Sequence, residues 1–489
     1  MRNLGLGRCH LEDLSLELLW VLELHAANEP LLPNLETLDL RHVTRQFIPF
    51  LPLVLSPRTT DINIAFCETD SSEFPTAIVA SIITTLPTLC PDLQEIGLPS
   101  LPRDPMITTA VSGMLLASNR NLLRSVYVDS PLTADSREVI FKLPNLRELS
   151  VVIERDTSSP SAILPNLTSL IVEYDHDSPC LQMFHRAVLG ELKTATFCSE
   201  SEQIGDFLEA FESLALTTSI STTLLSLTFH TSRPWRPNYG SLLPFTQLEE
   251  LDIQFSCGRG CSSTIDDNII ADIARAMPQL KLLRLGKEPC KTPTGITAKG
   301  LAALSRYCLR LAALSIHFRV ASLDPPVIPI VSLGEPTIPR EDCALTHLDV
   351  GKIPVQEKST LMVALFLIRI FPHLLHIQHS DKRWKKVAEA ICLSKQLAEH
   401  SSKEPSLHLP RSKVNDTSPR GHTRDYLTKK RSGVPEHSSF APTITLFYIH
   451  LVVTSFDEIE YGESRTVERQ TSYSKNHVYH VQRAIAHDV

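Results

Sequence analysis

Three short stretches hold residue types that could do chemistry. "YDHD" at 174–177 sets Asp175, His176 and Asp177 together, a grouping suited to acid–base work or to a metal. These acids stand just ahead of Ser178-Pro179, where carboxylates favour a helix N-terminus, so the simpler reading is a solvated turn. "CGRGC" brings Cys257 and Cys261 close, but no second pair follows at zinc-site spacing and the glycines indicate a loop. "HVYH" offers His477 and His480 without further ligands. The sequence contains no Gly-x-Ser-x-Gly elbow, no His-Glu-x-x-His and no Walker A loop. With 17 glycines in 489 residues, there are few places where bare backbone could cradle a phosphate. The expectation is a chain that is not an enzyme and uses no metal or cofactor.

The totals describe a folded protein, with 43% hydrophobic and 21% charged residues. A net charge of −8 disfavours nucleic acid as the main partner. The opening "MRNLGLGRCHLEDLSLELLW" lacks the apolar core and small-residue cleavage site of a secretory signal. The 11 cysteines are scattered and odd in number, which suits buried free thiols in a reducing compartment. The apolar runs "LMVALFLIRIF" (361–371) and "ITLFYIHLVV" (444–453) fall short of the roughly 20 residues that a membrane helix needs. An intracellular protein, cytoplasmic or nuclear, without membrane or nucleic-acid contacts, is expected.

The elements that would position any site are announced by a repeated phrase. "LPNLETLDL" (32–40), "LPNLRELSV" (143–151) and "LPNLTSLIV" (164–172) share the spacing Leu-x-x-Leu-x-Leu. With apolar substitutes it appears at Leu11/Leu14/Leu16, Leu35/Leu38/Leu40, Leu93/Ile96/Leu98 and Leu123/Val126/Val128. It continues at Leu146/Leu149/Val151, Leu167/Leu170/Val172, Leu192/Ala195/Phe197 and Leu224/Leu227/Phe229. Further copies are Leu248/Leu251/Ile253, Leu280/Leu283/Leu285, Leu311/Leu314/Ile316 and Leu345/Leu348/Val350. Weaker ones stand at Thr59/Ile62/Ile64 and Leu374/Ile377.

The last two apolar positions of each copy alternate with one polar residue, the period of a strand with a single buried face. Segments between copies have helical spacing, notably 105–118, 263–279 and 293–308. In 263–279, Asp266 or Thr264 stands at the cap position, ahead of a stripe of Ile269, Ile270, Ile273 and Ala274. One strand-plus-helix unit cannot bury its own apolar face, whereas a stack of them can. The spacing therefore predicts an α/β solenoid over residues 1–400, with short parallel strands on one side and helices on the other. The competing reading is a doubly wound α/β domain, whose buried strands would be continuous apolar runs.

"GITAKGLAALSRYCLRLAALSI" (295–316) resembles the cysteine-containing leucine-rich repeat of F-box proteins. Ile296, Thr297, Gly300, Leu301, Leu304, Cys308, Leu311, Leu314 and Ile316 match that pattern. Residues 265–285 are similar, with departures at Ile270 and Met277, and "LCPDLQEIGL" (89–98) repeats the Cys-Pro-x-Leu lead-in. Residues 9–380 as a whole resemble the repeat region of fungal F-box/leucine-rich-repeat proteins. The resemblance implies a horseshoe with strands on the concave face and helices on the convex face. It also implies substrate recognition in an SCF-type cullin ubiquitin ligase, and so ubiquitin-dependent degradation of the bound protein. Two features depart from the family. No Leu-Pro-x-Glu-Leu-type F-box precedes Leu11, so a Skp-type adaptor is a partner only where such a box lies upstream. The asparagine expected after the last strand leucine is replaced by Val43, Glu154 and Asp175. The alternative is a repeat scaffold or a signalling or GTPase-regulating binder with no ubiquitin role.

Residues between the strand leucines would line the concave face and meet a protein substrate. They are Asp39, Arg41, Glu148, Ser150, Ile171 and Glu173, then Glu250, Asp252, Gln254 and Arg284, then His317, Arg319, His347 and Asp349. Acids dominate the middle and basic groups the later repeats, which suits a basic or mixed patch on a partner. The plainer account is that such a face is polar because it meets water. Residues 381–400 are expected to cap the solenoid as a helix, and 401–489 to form a disordered tail. "TKKRSG", with Lys429, Lys430 and Arg431, is either an import signal or a solvated basic run. The expected state is a monomer within a complex.

Overall fold

A computed structural model describes residues 2–6, 21, 24, 30–43, 45–66, 75–153, 163–174, 188–199, 220–231, 239–255, 265–286, 295–320, 343–351 and 353–403. The chain divides into a compact unit, Met1–Ser406, and a second unit, Leu407–Val489. The second unit lies outside the described residues, as do Asp175–Asp177, Cys257, Cys261, the Leu11/Leu14/Leu16 copy, Lys429–Arg431, His477 and His480.

Every copy of the repeated spacing that falls on described residues becomes a strand. In chain order these are β1 (Asn3–Leu6), β2 (Thr37–Val43), β3 (Asp61–Phe66), β4 (Glu95–Leu98) and β5 (Ser125–Pro131). Next come β6 (Glu148–Ile153), β7 (Ser169–Tyr174), β8 (Thr194–Ser199), β9 (Ser226–Thr231) and β10 (Glu250–Phe255). The last are β11 (Leu282–Leu285), β12 (Ala313–Ile316), β13 (His347–Gly351) and β14 (His376–His379). They form one 14-stranded sheet in strict chain order, β1 to β14. Every pairing is parallel. A doubly wound sheet reverses its order at a switch point, and this one has no reversal. β1 was not among the expected strands, because its Leu4 and Leu6 precede the first recognised copy.

The register is locked by one backbone device. The carbonyl just ahead of each strand accepts two N–H groups from the next unit. Arg124 O takes the amides of Arg147 and Glu148 at 2.7 and 3.0 Å, and Arg147 O takes those of Thr168 and Ser169 at 2.8 and 3.0 Å. Thr168 and Lys193 carry the same pattern onward, and it holds from Glu36 to Thr346. With register fixed, the leucines fall into stacked rows. Leu149, Leu170, Leu251 and Leu283 are all buried within a single continuous core.

Helices back much of the sheet. They are α1 (Leu51–Val54), α2 (Thr76–Leu89), α3 (Pro105–Ala117), α4 (Ala134–Ile140), α5 (Ile220–Thr223), α6 (Asp267–Ala276), α7 (Ala298–Tyr307), α8 (Thr360–Ile370) and α9 (Lys382–Lys403). Ahead of β7 and β8 the chain also forms an isolated parallel bridge, Ile163 with Val188.

The helix starts are capped as their sequences suggest. Asp104 accepts from the amide of Met106, Asp266 from those of Asn268 and Ile269, and Thr297 from that of Lys299. Neighbouring units also cap one another. Asp267 at the start of α6 accepts from the Thr297 amide at 2.7 Å, the Thr297 hydroxyl at 2.6 Å and the Gly300 amide at 2.9 Å. A side chain at Gly300 would place its Cβ 2.7 Å from the Asp267 carboxylate, so the close approach demands glycine. The Cys308 thiol faces the carbonyls of Ala274 and Met277, both at 3.7 Å, at the C-terminal end of α6. Burial pushes that thiol up to about 12.

α9 closes the last unit. Its Trp384 is fully buried, donates Nε1–H to Ile353 O at 2.8 Å, and meets Phe318 edge-on at 6.1 Å. No helix among the described residues is long and apolar enough to cross a membrane.

Candidate functional site

The residues that point away from the leucine core make three stacked rows across the sheet. Alternation predicts the two sides, and register decides which groups meet. In the first part of the array Asp39 accepts from Asn63 Nδ2 at 2.9 Å. Arg41 belongs to β2 with Asp39.

The central part carries the most organised chemistry. Glu148 accepts from the Ser125 hydroxyl at 3.2 Å, and Glu250 from the Ser226 hydroxyl at 3.0 Å. Ser150, Ile171, Thr196, Thr228 and Asp252 follow one another on β6 to β10. Of these, Ser150, Thr196, Thr228 and Asp252 are buried although they face away from the leucines. Asp252 is only 8% exposed. Its Oδ2 accepts from Gln254 Nε2 at 3.0 Å and from the Arg284 guanidinium at 3.3 Å, while its buried Oδ1 has no hydrogen-bond partner. Asp252, Gln254 and Arg284 thus form one side-chain group, with Glu250 on the same strand.

Glu173 belongs to a second group that sequence alternation did not assemble. Arg103, in the turn after β4, reaches the Glu173 carboxylate on β7 at 2.7 Å. Asp129 on β5 accepts from the backbone amide of Ser100 at 2.8 Å, and Ser100 sits in the left-handed region with φ 61°. Burial raises the Asp129 carboxyl above its usual range, against the opposing pull of Ser100, Tyr127 and Arg103. Cys198 lies between Glu173 and His230 in register. Burial, and then the Glu173 and Asp129 carboxylates, push its thiol up to about 12. A thiol so held is protonated near neutrality, the opposite of an activated nucleophile, despite the neighbouring histidine.

The last part gathers imidazoles. His347 and His376 on β13 and β14 meet with ring centroids 4.8 Å apart and planes tilted by 31°, and His347 Nδ1 meets Thr346 Oγ1 at 2.8 Å. Asp349 accepts from the Ser315 hydroxyl at 3.1 Å and the Gly351 amide at 2.9 Å. His317, just past β12, packs against Gly351, where a Cβ would stand 3.0 Å from its Nε2. Burial lowers its pKa, and Asp349 pulls it the other way. Arg319 lies beyond the strand, and its backbone amide bonds to Ile296 O at 2.9 Å, so it leaves the strand rows. Among the described residues no group of three or more His, Cys, Asp and Glu side chains is arranged to hold a metal ion.

Sequence reasoning missed Tyr127, Asp129, Thr196, Cys198, Thr228 and His230. The signal was present, because the same alternation applied to the copies at 123–128, 192–197 and 224–229 places all six on this face. Arg103 carried no such signal, standing 70 residues from Glu173 in the chain. No family model matches the chain, and no curated protein matches it.

Proposed function

We propose that this chain is a noncatalytic leucine-rich-repeat protein whose strand face binds another protein. We further propose that it serves as the substrate-recognition component of an F-box-type cullin ubiquitin ligase, resembling the fungal F-box/leucine-rich-repeat proteins. The observation that carries the reading is the pair of units at 265–316. There Thr297, Gly300 and Cys308, three residues of the family pattern, each make a specific contact with the preceding unit. The strand face supports protein binding because it offers carboxylates, hydroxyls and imidazoles along a register-fixed surface, the polar pattern of a recognition face. Asp39, Glu148, Glu173, Glu250, Asp252, Gln254, Arg284, His317, His347 and Asp349 are the proposed contact residues. The raised thiol of Cys198 argues against nucleophilic catalysis where Cys198 and His230 pair across β8 and β9.

Co-expression of the full genomic reading frame with a Skp-type adaptor, followed by affinity capture, tests the ligase role. Stable capture of the adaptor is expected. Loss of capture with the upstream region intact overturns the ligase role and favours a scaffold without ubiquitin chemistry.

A further inference from the structure

A second polar surface feature borders the strand face and shares Glu148 with it. It is a groove of about 600 Å³ at the leading edge of the strands, across the turns that precede β5 to β8. Asn121, Leu122, Asn145, Asn166, Glu148 and Glu191 line it together with Arg124, Arg147 and Thr168, so only one lining residue is apolar. Such a surface suits a polar occupant rather than an oily small molecule.

The two arginines stand on neighbouring units, since the Arg147 amide bonds directly to Arg124 O. Adjacent strands lie about 4.8 Å apart, a spacing at which like charges repel. Elsewhere in this row cations are matched with acids: Arg2 with Glu36 at 3.6 Å, and Lys281 with Glu249 at 2.7 Å. Arg124 and Arg147 have no such match, and neither guanidinium has a hydrogen-bond or ion-pair partner among the described residues. Lys193 extends the same row, again without an acid partner among them.

The carboxamides complete the picture. Asn145 Nδ2 donates to Asn121 O at 2.8 Å and Asn166 Nδ2 to Pro144 O at 2.7 Å. Each side chain is anchored through nitrogen, which leaves its carbonyl oxygen as an acceptor for an incoming N–H.

We infer that this groove binds an extended acidic segment of a partner polypeptide, with a carboxylate held by Arg124 and Arg147 and backbone amides facing Asn145 and Asn166. Guanidinium pairs recognise carboxylates through charge-assisted, often two-pronged hydrogen bonds. Glu148 and Glu191 in the same groove repel a doubly charged phosphate more than a singly charged carboxylate, which confines the anionic group to the arginine pair. The four units involved span three strand spacings, about 14 Å, the length of roughly four extended residues. The inference rests on the protein-binding reading only for the class of occupant, and needs no ubiquitin role.

Fluorescence anisotropy tests it, using the full chain and a fluorescein-labelled peptide of alternating Glu and Gly, with the Gln–Gly peptide as control. The Glu peptide should bind, and binding should weaken as salt is added. The double variant Arg124→Gln/Arg147→Gln should lose about tenfold or more in affinity while keeping the wild-type melting temperature. The charge-matched variant Lys142→Gln/Arg275→Gln, on α4 and α6 and their flanks, should bind like wild type. Absence of binding to the wild type, equal binding of the Gln peptide, or undiminished binding by the double variant overturns the inference. Displacement of the peptide by inorganic phosphate at lower concentration than by acetate reassigns the groove to phosphate and overturns it too. Adaptor capture is read independently, so neither failure is mistaken for the other.

Discussion

Replacing Asp267 by alanine is expected to loosen one joint of the array and leave the rest intact. The carboxylate accepts three hydrogen bonds from Thr297 and Gly300, at 2.6 to 2.9 Å. A hydrogen bond to a charged group contributes about 1.5–3 kcal/mol, which would sum to a large figure if the three were independent. They are not, because all end on one half-buried side chain and water reaches the freed amides after its removal. Loss of a helix cap alone costs about 1 kcal/mol, so we expect roughly 2–3 kcal/mol for Asp267→Ala. Asp267→Asn keeps one acceptor for the two amides and should cost about 1 kcal/mol.

Repeat units interact mainly with their neighbours, so the loss should be local. Hydrogen exchange followed by mass spectrometry reads it directly. Amides in 295–307 should exchange about 30- to 150-fold faster in Asp267→Ala, with little change at α3. Gly300→Ala supplies a second reading. In the wild type its Cβ would strike the Asp267 carboxylate and cost stability, despite alanine's helix propensity advantage of about 1 kcal/mol. In the Asp267→Ala background that clash is gone and only the 3.2 Å approach to Ile296 Cγ2 remains, so the cost should fall clearly. Unchanged exchange in 295–307, or an equal cost of Gly300→Ala in both backgrounds, would refute the clamp.

Leu149→Ala and Leu170→Ala, each removing a side chain from a position only 2% exposed, should cost about 2–5 kcal/mol in thermal or denaturant melts. Glu148→Ala, at an exposed position, should stay within about 0.5 kcal/mol, and equal effects would mean that inward and outward faces are misassigned. Iodoacetamide at about pH 8 should label exposed Cys392 in the folded protein but spare Cys90 and Cys308, whose buried thiols are both pushed up to about 12. Peptide mapping that finds Cys308 labelled as fast as Cys392 would contradict its packing against α6. Acidification should destabilise the His317 region. Burial lowers the folded pKa of His317 below its usual 6.5, so the unfolded chain binds more protons in acid and stability falls as pH drops through that range. The melting temperature should decline between about pH 7.5 and 5.5, and His317→Gln should flatten that slope in spite of the nearby Asp349. An identical slope in the variant would refute the assignment.

The strands were the legible part of this molecule. Leu-x-x-Leu-x-Leu states both a period of two and the turn before it, so Leu146/Leu149/Val151 locates β6 and its buried side without any tertiary knowledge. Helix starts at Asp266 and Thr297 were legible for the same local reason, a capping side chain just ahead of an apolar stripe. Burial on the outward side was not. Ser150 and Asp252 face away from the leucines by alternation, yet both are nearly covered, and neighbours such as Gln254 and Arg284 become visible only once register is known. The Arg103–Glu173 pair and the leading-edge groove were hidden more deeply. Both join residues from different units, and the groove is lined by positions that a repeat pattern treats as mere spacers.

The doubled hydrogen bonds ahead of each strand also bear on how such a chain could grow. Each unit offers one carbonyl to the unit after it and two amides to the unit before it, and the same pattern recurs from Glu36 to Thr346. The two sides of a unit are therefore complementary to each other and to every other unit. Units become interchangeable parts: one could be duplicated or lost, and its former neighbours would still find a matching donor and acceptor. Near-identical phrases at 143–151 and 164–172, joined edge to edge as β6 and β7, are what such a joint permits. Length is then free to vary, while the doubled hydrogen bond at the junction stays the same.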